Sequence, residues 1–248
     1  MKIWWLVDFR AKIKDHKYLK IEFTYYFFII LLSFILWPSQ TLNLNRYSVP
    51  DLFLIFAILH FLFLLYLTSV ISSGNLLSEK EFKIINLAKY SSFSTFKIVI
   101  GRALSILLYL CFLFILLLPF NLLINFSFPY SILRILYLYL MLLLDAIPVL
   151  GLGILWSTFQ NPSLSWFLHW STYVLFIIFP FLFPKSSFFF PLNNILWLVK
   201  AENILYVKVV FNPKIHLPII IFVYLLIFLV SILIAQKRLK YYKGDDKE

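Results

Sequence analysis

An all-α integral membrane protein with six transmembrane helices is the fold this sequence predicts, and three observations carry that prediction. Of 248 residues, 62% are hydrophobic and only 13% charged, with a mean hydropathy of +0.92. A soluble domain of this length needs far more polar surface to cover its core. The apolar residues are also gathered into runs of bilayer-spanning length. Finally, the basic residues fall mostly between those runs on one side.

A helix needs about 20 mostly apolar residues to cross the roughly 30 Å hydrocarbon layer. Six segments meet this: Ile21–Pro38, Leu52–Ile71, Ile98–Phe120, Ile132–Leu155, Leu164–Phe183 and Leu217–Ala235. Their apolar character is continuous rather than alternating, which selects helices over barrel strands. The whole chain, 1–248, reads as one membrane domain: a cytoplasmic N-terminal segment 1–20, a bundle 21–235 and a basic tail 236–248. Met1 to Lys20 is charged throughout and lacks a small-residue cleavage site, so no signal peptide is expected. Leu6, Phe9 and Ile13 at helical spacing make that segment weakly amphipathic.

Loop charge sets the orientation. With a cytoplasmic N-terminus, 16 of the 22 Lys and Arg residues lie inside and 6 outside, and both termini are cytoplasmic. The net charge of +11 then reads as topology and contact with anionic lipids. Nucleic acid is not an expected partner, because no soluble basic surface with a readout element is present.

Two connections stand out by length. The cytoplasmic loop Ser72–Lys97 separates spans two and three. The external segment Pro184–His216 precedes span six, and its apolar middle, Ile195–Val210, suits a short interfacial or re-entrant helix. Asn161-Pro162 forms the turn between spans four and five.

Chemistry-bearing motifs are few. No Walker-type loop, HExxH, GxSxG or paired acidic metal motif occurs, so no catalytic residue, cofactor or metal is assigned to this chain. The lone Cys111 excludes an intrachain disulfide and reads as a small apolar core residue. Three ionisable groups stand at membrane depth: Asp145 in span four, His60 in span two and His169 in span five. An ionised Asp costs about 2.5–3.5 kcal/mol at the bilayer centre on insertion scales, so Asp145 should face the bundle interior or a subunit interface. Its functional reading is a substrate or proton contact; its plain reading is a carboxylic acid bonded to neighbouring hydroxyls. The histidines read more readily as neutral, hydrogen-bonded side chains than as ligands. Pro148, Gly151 and Gly153 follow Asp145 and predict a kink or a close helix contact.

The most specific stretch is Ser78-Glu79-Lys80-Glu81 followed by Phe82-Lys83-Ile84-Ile85-Asn86-Leu87-Ala88-Lys89, an amphipathic pattern. Phe96-Lys97-Ile98-Val99 and then Gly101-Arg102 open span three. This order resembles the membrane-spanning permease subunits of type-2 ABC exporters. In that family an acidic Ser-Glu-x-Glu-like motif, a short coupling helix and a Gly-Lys or Gly-Arg pair follow span two. The sequence differs where Lys83-Ile84 stands for the usual Gly-Thr and Tyr90 near an expected Pro.

The resemblance implies a multi-pass subunit of the bacterial plasma (inner) membrane with no motor of its own. Two permease copies, or this chain and a paralogue, would pair with two copies of a separate ATP-binding subunit that holds ATP and Mg. Glu79, Glu81, Phe82, Lys83, Ile85 and Leu87 would contact that subunit, and Gly101 and Arg102 would form the membrane-entry pair. Competing readings are an intramembrane enzyme acting on lipid through Asp145 and the histidines, and a non-catalytic membrane scaffold. Neither is favoured by a nucleophile or a cluster of acidic groups.

Overall fold

A computed structural model describes residues 4–36, 49–72, 94–127, 132–159, 161–182 and 213–241. Among the described residues the chain forms seven helices and no strand. They are α1 (Trp4–Lys14), α2 (His16–Leu36), α3 (Val49–Ser72), α4 (Thr95–Ser127), α5 (Ile132–Trp156), α6 (Pro162–Leu182) and α7 (Pro213–Tyr241). Helices α2 to α7 occupy the six apolar segments in order. Among the described residues, three stretches are long and apolar enough to cross a membrane: Thr95–Pro119, Ile135–Trp156 and Ile215–Lys240. Ala57–Ser72 and Ser163–Ile178 are shorter apolar helices. The segment 184–216, expected from the sequence to be external, lies outside the described residues, apart from its last part, which starts α7.

Local chemistry sets several boundaries. Asp15 breaks α1 from α2, and its carbonyl accepts from Leu19 N at 3.1 Å, the position of an N-cap. Ser94 caps α4, its carbonyl accepting from Lys97 N at 2.9 Å. Asn161 is a cap as well as a turn residue: its Oδ1 accepts from Ser163 N at 2.9 Å and from Leu164 N at 3.3 Å. Pro162 then fills the first helical position, where a missing N–H costs nothing. At the end of α5, the Ser157 and Thr158 hydroxyls donate to the carbonyls of Ile154 and Leu155, each at 2.7 Å, satisfying groups the helix end leaves orphaned. Helix α4 runs unbroken past Pro119, and α7 extends beyond the predicted span at both ends.

Helix α5 is the hub of the bundle. It packs most extensively on α7 and also meets α3, α4 and α6. Two glycines permit this. Residues two apart on a helix project about 200° apart, so Gly151 and Gly153 serve opposite faces. A Cβ on Gly151 would stand 2.9 Å from Phe228 Cα of α7. One on Gly153 would stand 2.7 Å from both Ser72 Cβ of α3 and His169 Cε1 of α6. Small residues at helix contacts let backbones approach where lipid offers no hydrophobic drive to associate.

The contacts also fix relative directions. His60 lies beside Tyr139 and Ser72 beside Gly153, so α3 and α5 run parallel. Gly151 meets Phe228, while the Arg238 guanidinium stacks 3.9 Å over the Phe159 ring, so α7 runs parallel to α5. Trp170 meets Tyr66, and the Tyr173 hydroxyl donates to the Leu62 carbonyl at 3.3 Å, so α6 runs antiparallel to α3. The C-terminal ends of α3, α5 and α7 therefore share one end of the bundle. Ile215, Ile219, Phe222, Leu226, Leu229 and Leu233 point outward from α7, as a lipid-facing surface would.

Helix α1 packs along α4, a contact the sequence reading of 1–20 as a cytoplasmic segment does not include. Leu6, Phe9 and Ile13 are half-buried while Arg10 and Lys14 are exposed, and Phe9 packs edge-on to Phe112 of α4 at 6.3 Å.

Candidate functional site

The residues expected to engage an ATP-binding subunit, Glu79, Glu81, Phe82, Lys83, Ile85 and Leu87, lie outside the described residues. On either side of them, α3 ends at Ser72 and α4 begins at Thr95. In the second turn of α4, Gly101 is buried, while Arg102 is half-buried and has an interaction partner.

His60, Asp145 and His169 are all buried, but the fold does not bring them together. His60 touches the Tyr139 level of α5, whereas His169 touches the Gly153 level. At 1.5 Å per residue, Tyr139 and Gly153 are about 21 Å apart along α5, with Asp145 between them. Among the described residues, no three His, Cys, Asp or Glu side chains are grouped to hold a metal. Asp145 is 0% exposed and has a partner within the protein, so it faces the bundle rather than lipid.

His169 belongs to a hydroxyl-rich contact. The Ser72 hydroxyl donates to the Thr68 carbonyl at 2.6 Å, with the Ser69 carbonyl at 3.4 Å. Thr68, Ser69, Ser72, Ser165 and His169 are all buried. The Ser69 backbone is the polar neighbour of the imidazole, yet neither ring nitrogen completes a hydrogen bond. On the adjoining face of α6, the Trp156 indole N–H donates to the Thr172 hydroxyl at 2.9 Å. These groups pin the ends of α3 and α5 to α6, immediately before the segment that leads to Glu79.

His60 belongs to a different assembly, built of rings. It meets Tyr25 of α2 edge-on at 6.2 Å and Tyr139 of α5 at 6.1 Å. Tyr25 stacks on Phe63 of α3 at 4.0 Å, and Tyr139 tilts against Phe114 of α4 at 5.0 Å. Four helices thus meet around one aromatic cluster.

Two buried charged residues escape a reading of the sequence alone. Glu22 is 8% exposed, and its Oε1 has no hydrogen-bond partner. It stands one residue inside the first apolar run, where it passes for a headgroup-level charge. Its only sequence signal is the pairing with Tyr26 one helical turn on, and those two groups are within electrostatic range. Lys12 is 5% exposed; it pairs with Asp8 one turn earlier and donates to the Ser105 hydroxyl at 3.0 Å. Asp8 and Lys12 stand at i,i+4 spacing, but nothing in the sequence marks the burial of that pair against α4.

Comparisons with protein-family models, with curated proteins and with solved structures return no match to this chain.

Proposed function

We propose that this chain is the membrane subunit of an ATP-driven exporter of the type-2 ABC kind, with six spans and both termini cytoplasmic. The observation that carries the reading is the order Ser78-Glu79-Lys80-Glu81, an amphipathic stretch through Lys89, and Gly101-Arg102. Two permease subunits would assemble with two copies of a separate ATP-binding subunit, which supplies ATP and Mg. Closure of the motor pair would push the 79–89 segment and rock the bundle between inward- and outward-facing states.

The bundle supports this reading in two ways. Alternating spans two, four and six require α3, α5 and α7 to run in one direction, as they do. The end where they finish carries Lys237, Arg238 and Lys240, the charge expected of a cytoplasmic face. A push on the 79–89 segment would reach α3 at Ser72, which is locked against Gly153 and His169.

The test is direct. Losing one member of a desolvated interfacial charge pair costs about 2–5 kcal/mol, while losing a solvated loop charge costs almost nothing. Glu79→Ala with Glu81→Ala, and separately Phe82→Ala, should weaken co-purification of an ATP-binding subunit or uncouple ATP hydrolysis from transport. Membrane insertion should be unchanged. Full assembly and transport by the triple variant would make the segment an ordinary connector.

A further inference from the structure

Of the three long apolar stretches, that of α7 is the least buried, and its outward face ends in positive charge. Leu229, Val230, Leu233 and Ile234 are exposed along its later turns. Lys237 and Arg238, also exposed, follow at the next turn. Residues four apart on a helix stand one above the other, so Leu233 adjoins Lys237 and Ile234 adjoins Arg238. An apolar column thus leads directly to two cations.

The Arg238 guanidinium is held in place rather than swinging freely in solvent. It lies 3.9 Å over the centroid of the Phe159 ring. Phe159 rests in turn against Trp156, ring centroids 5.8 Å apart, and the Trp156 indole is anchored by its hydrogen bond to Thr172. Stacking uses one face of the planar group and none of its in-plane N–H donors. Among the described residues, no carboxylate pairs with Lys237, Arg238 or Lys240. A guanidinium binds phosphate through two parallel N–H donors, and one already ordered gives up less rotamer freedom on binding. A free phosphate would answer the cations alone. The apolar column beside them answers acyl chains, and a phospholipid with a net negative headgroup answers both.

We propose that Lys237 and Arg238, with Phe159 positioning the guanidinium, form the headgroup site for an anionic phospholipid whose acyl chain lies along Leu233 and Ile234. General attraction of a basic face to anionic lipid needs only net charge, whereas this site needs the Phe159 stack as well. The proposal rests on α7 lying in the bilayer and not on the exporter reading, since no ATP-binding subunit enters the test. Recovery of the parent chain in alkali-washed membranes checks that premise separately.

The experiment uses the full chain in a neutral detergent, with radiolabelled phosphatidylglycerol as the probe. Saturable binding is expected. Phosphatidylcholine of the same acyl chains should compete at least tenfold less well, and glycerol phosphate, which lacks acyl chains, should not compete. Arg238→Gln should weaken binding about fivefold. Arg238→Lys keeps the charge without the planar fork and should weaken it severalfold. Phe159→Leu, which changes no charge, should also weaken it severalfold, while Phe159→Tyr, which keeps a ring, should stay within twofold of the parent. Lys14→Gln on α1 removes one exposed charge elsewhere and should stay within twofold too. Parental binding by Phe159→Leu, or by both Arg238 variants, would overturn the proposal and leave only charge at a helix end. Equal competition by phosphatidylcholine or by glycerol phosphate would overturn it as well, the second in favour of a free-phosphate site.

Discussion

Gly153→Ala should loosen the α3–α5–α6 junction by an amount that can be worked from the geometry. The added methyl carbon would lie 2.7 Å from Ser72 Cβ and from His169 Cε1, and closer still to Ser72 Oγ. Ordinary contact between such carbons is near 3.5–4 Å. Rotating the serine hydroxyl does not help, because the Ser72 Cβ is itself too close. Helix α3 or α5 must back away by roughly 1 Å, and overpacking of this kind costs about 1–3 kcal/mol. With three contacts too short at once the cost falls in the upper part of that range, about 2–3 kcal/mol, and the propensity of about 1 kcal/mol returned by replacing glycine inside a helix leaves a net loss of about 1–2 kcal/mol. For a chain of this size that lowers the midpoint of thermal unfolding by about 2–8 °C. The assay is loss of the monodisperse peak on heating in detergent, run as a double-mutant cycle with Ser72→Gly. Ser72→Gly removes both serine contacts, so the cycle should show a favourable coupling of about 1 kcal/mol. A Gly153→Ala chain as stable as the parent, or one that Ser72→Gly does not rescue, would refute the close approach.

Two further outcomes are expected. Reporter fusions at Asn45, Ser91, Asn125, Asn161, Asn203 and Lys243 should read out, in, out, in, out and in, and a cytoplasmic signal at Asn203 would overturn the last two spans. Asp8→Asn removes the Asp8 carboxylate from the buried Lys12 ammonium and should weaken docking of α1 on α4 by about 1.5–3 kcal/mol. In a Cys111→Ala background, oxidative cross-linking between Phe9→Cys and Phe112→Cys should then fall sharply, and unchanged cross-linking would detach Lys12 from that role.

The helices were legible because hydrocarbon imposes a length, and the apolar runs of this chain have that length. The boundaries were legible where a cap marks them, as Asn161-Pro162 does for α6. What was not legible is which side of each helix faces its neighbours. In water, polarity separates the two faces; in lipid both are apolar, and only small or polar residues mark the inner one. On α7, outward Phe222 and inward Ile220 are equally hydrophobic. Gly151 and Gly153 announced close contacts, but nothing in the sequence names Phe228, Ser72 or His169 as their partners. The same limit scattered the intramembrane polar groups. His60, Asp145 and His169 share a membrane with one another in sequence terms, yet their levels on α3 and α5 are set by register, which hydropathy does not encode.

Register also explains why the two polar assemblies sit where they do. Because α3 and α5 run parallel and in step, every inward residue of α3 has a fixed companion on α5. The ring cluster at His60 and Tyr139 and the hydroxyl junction at Ser72 and Gly153 are two points on that single seam. Asp145 is buried on the α5 side of the bundle between them. Movement of α3 along the seam would therefore alter both assemblies at once, without any contact between them. The glycine at the junction makes that coupling stiff, since a helix pair this close cannot slide without separating first. Gly153→Ala, by opening the junction, should then loosen the His60–Tyr139 contact as well as lower stability: in a Cys111→Ala background, oxidative cross-linking between His60→Cys and Tyr139→Cys should fall, and unchanged cross-linking would refute the coupling. The ratio of the two effects measures how rigidly α3 carries strain from one level of the bundle to the other.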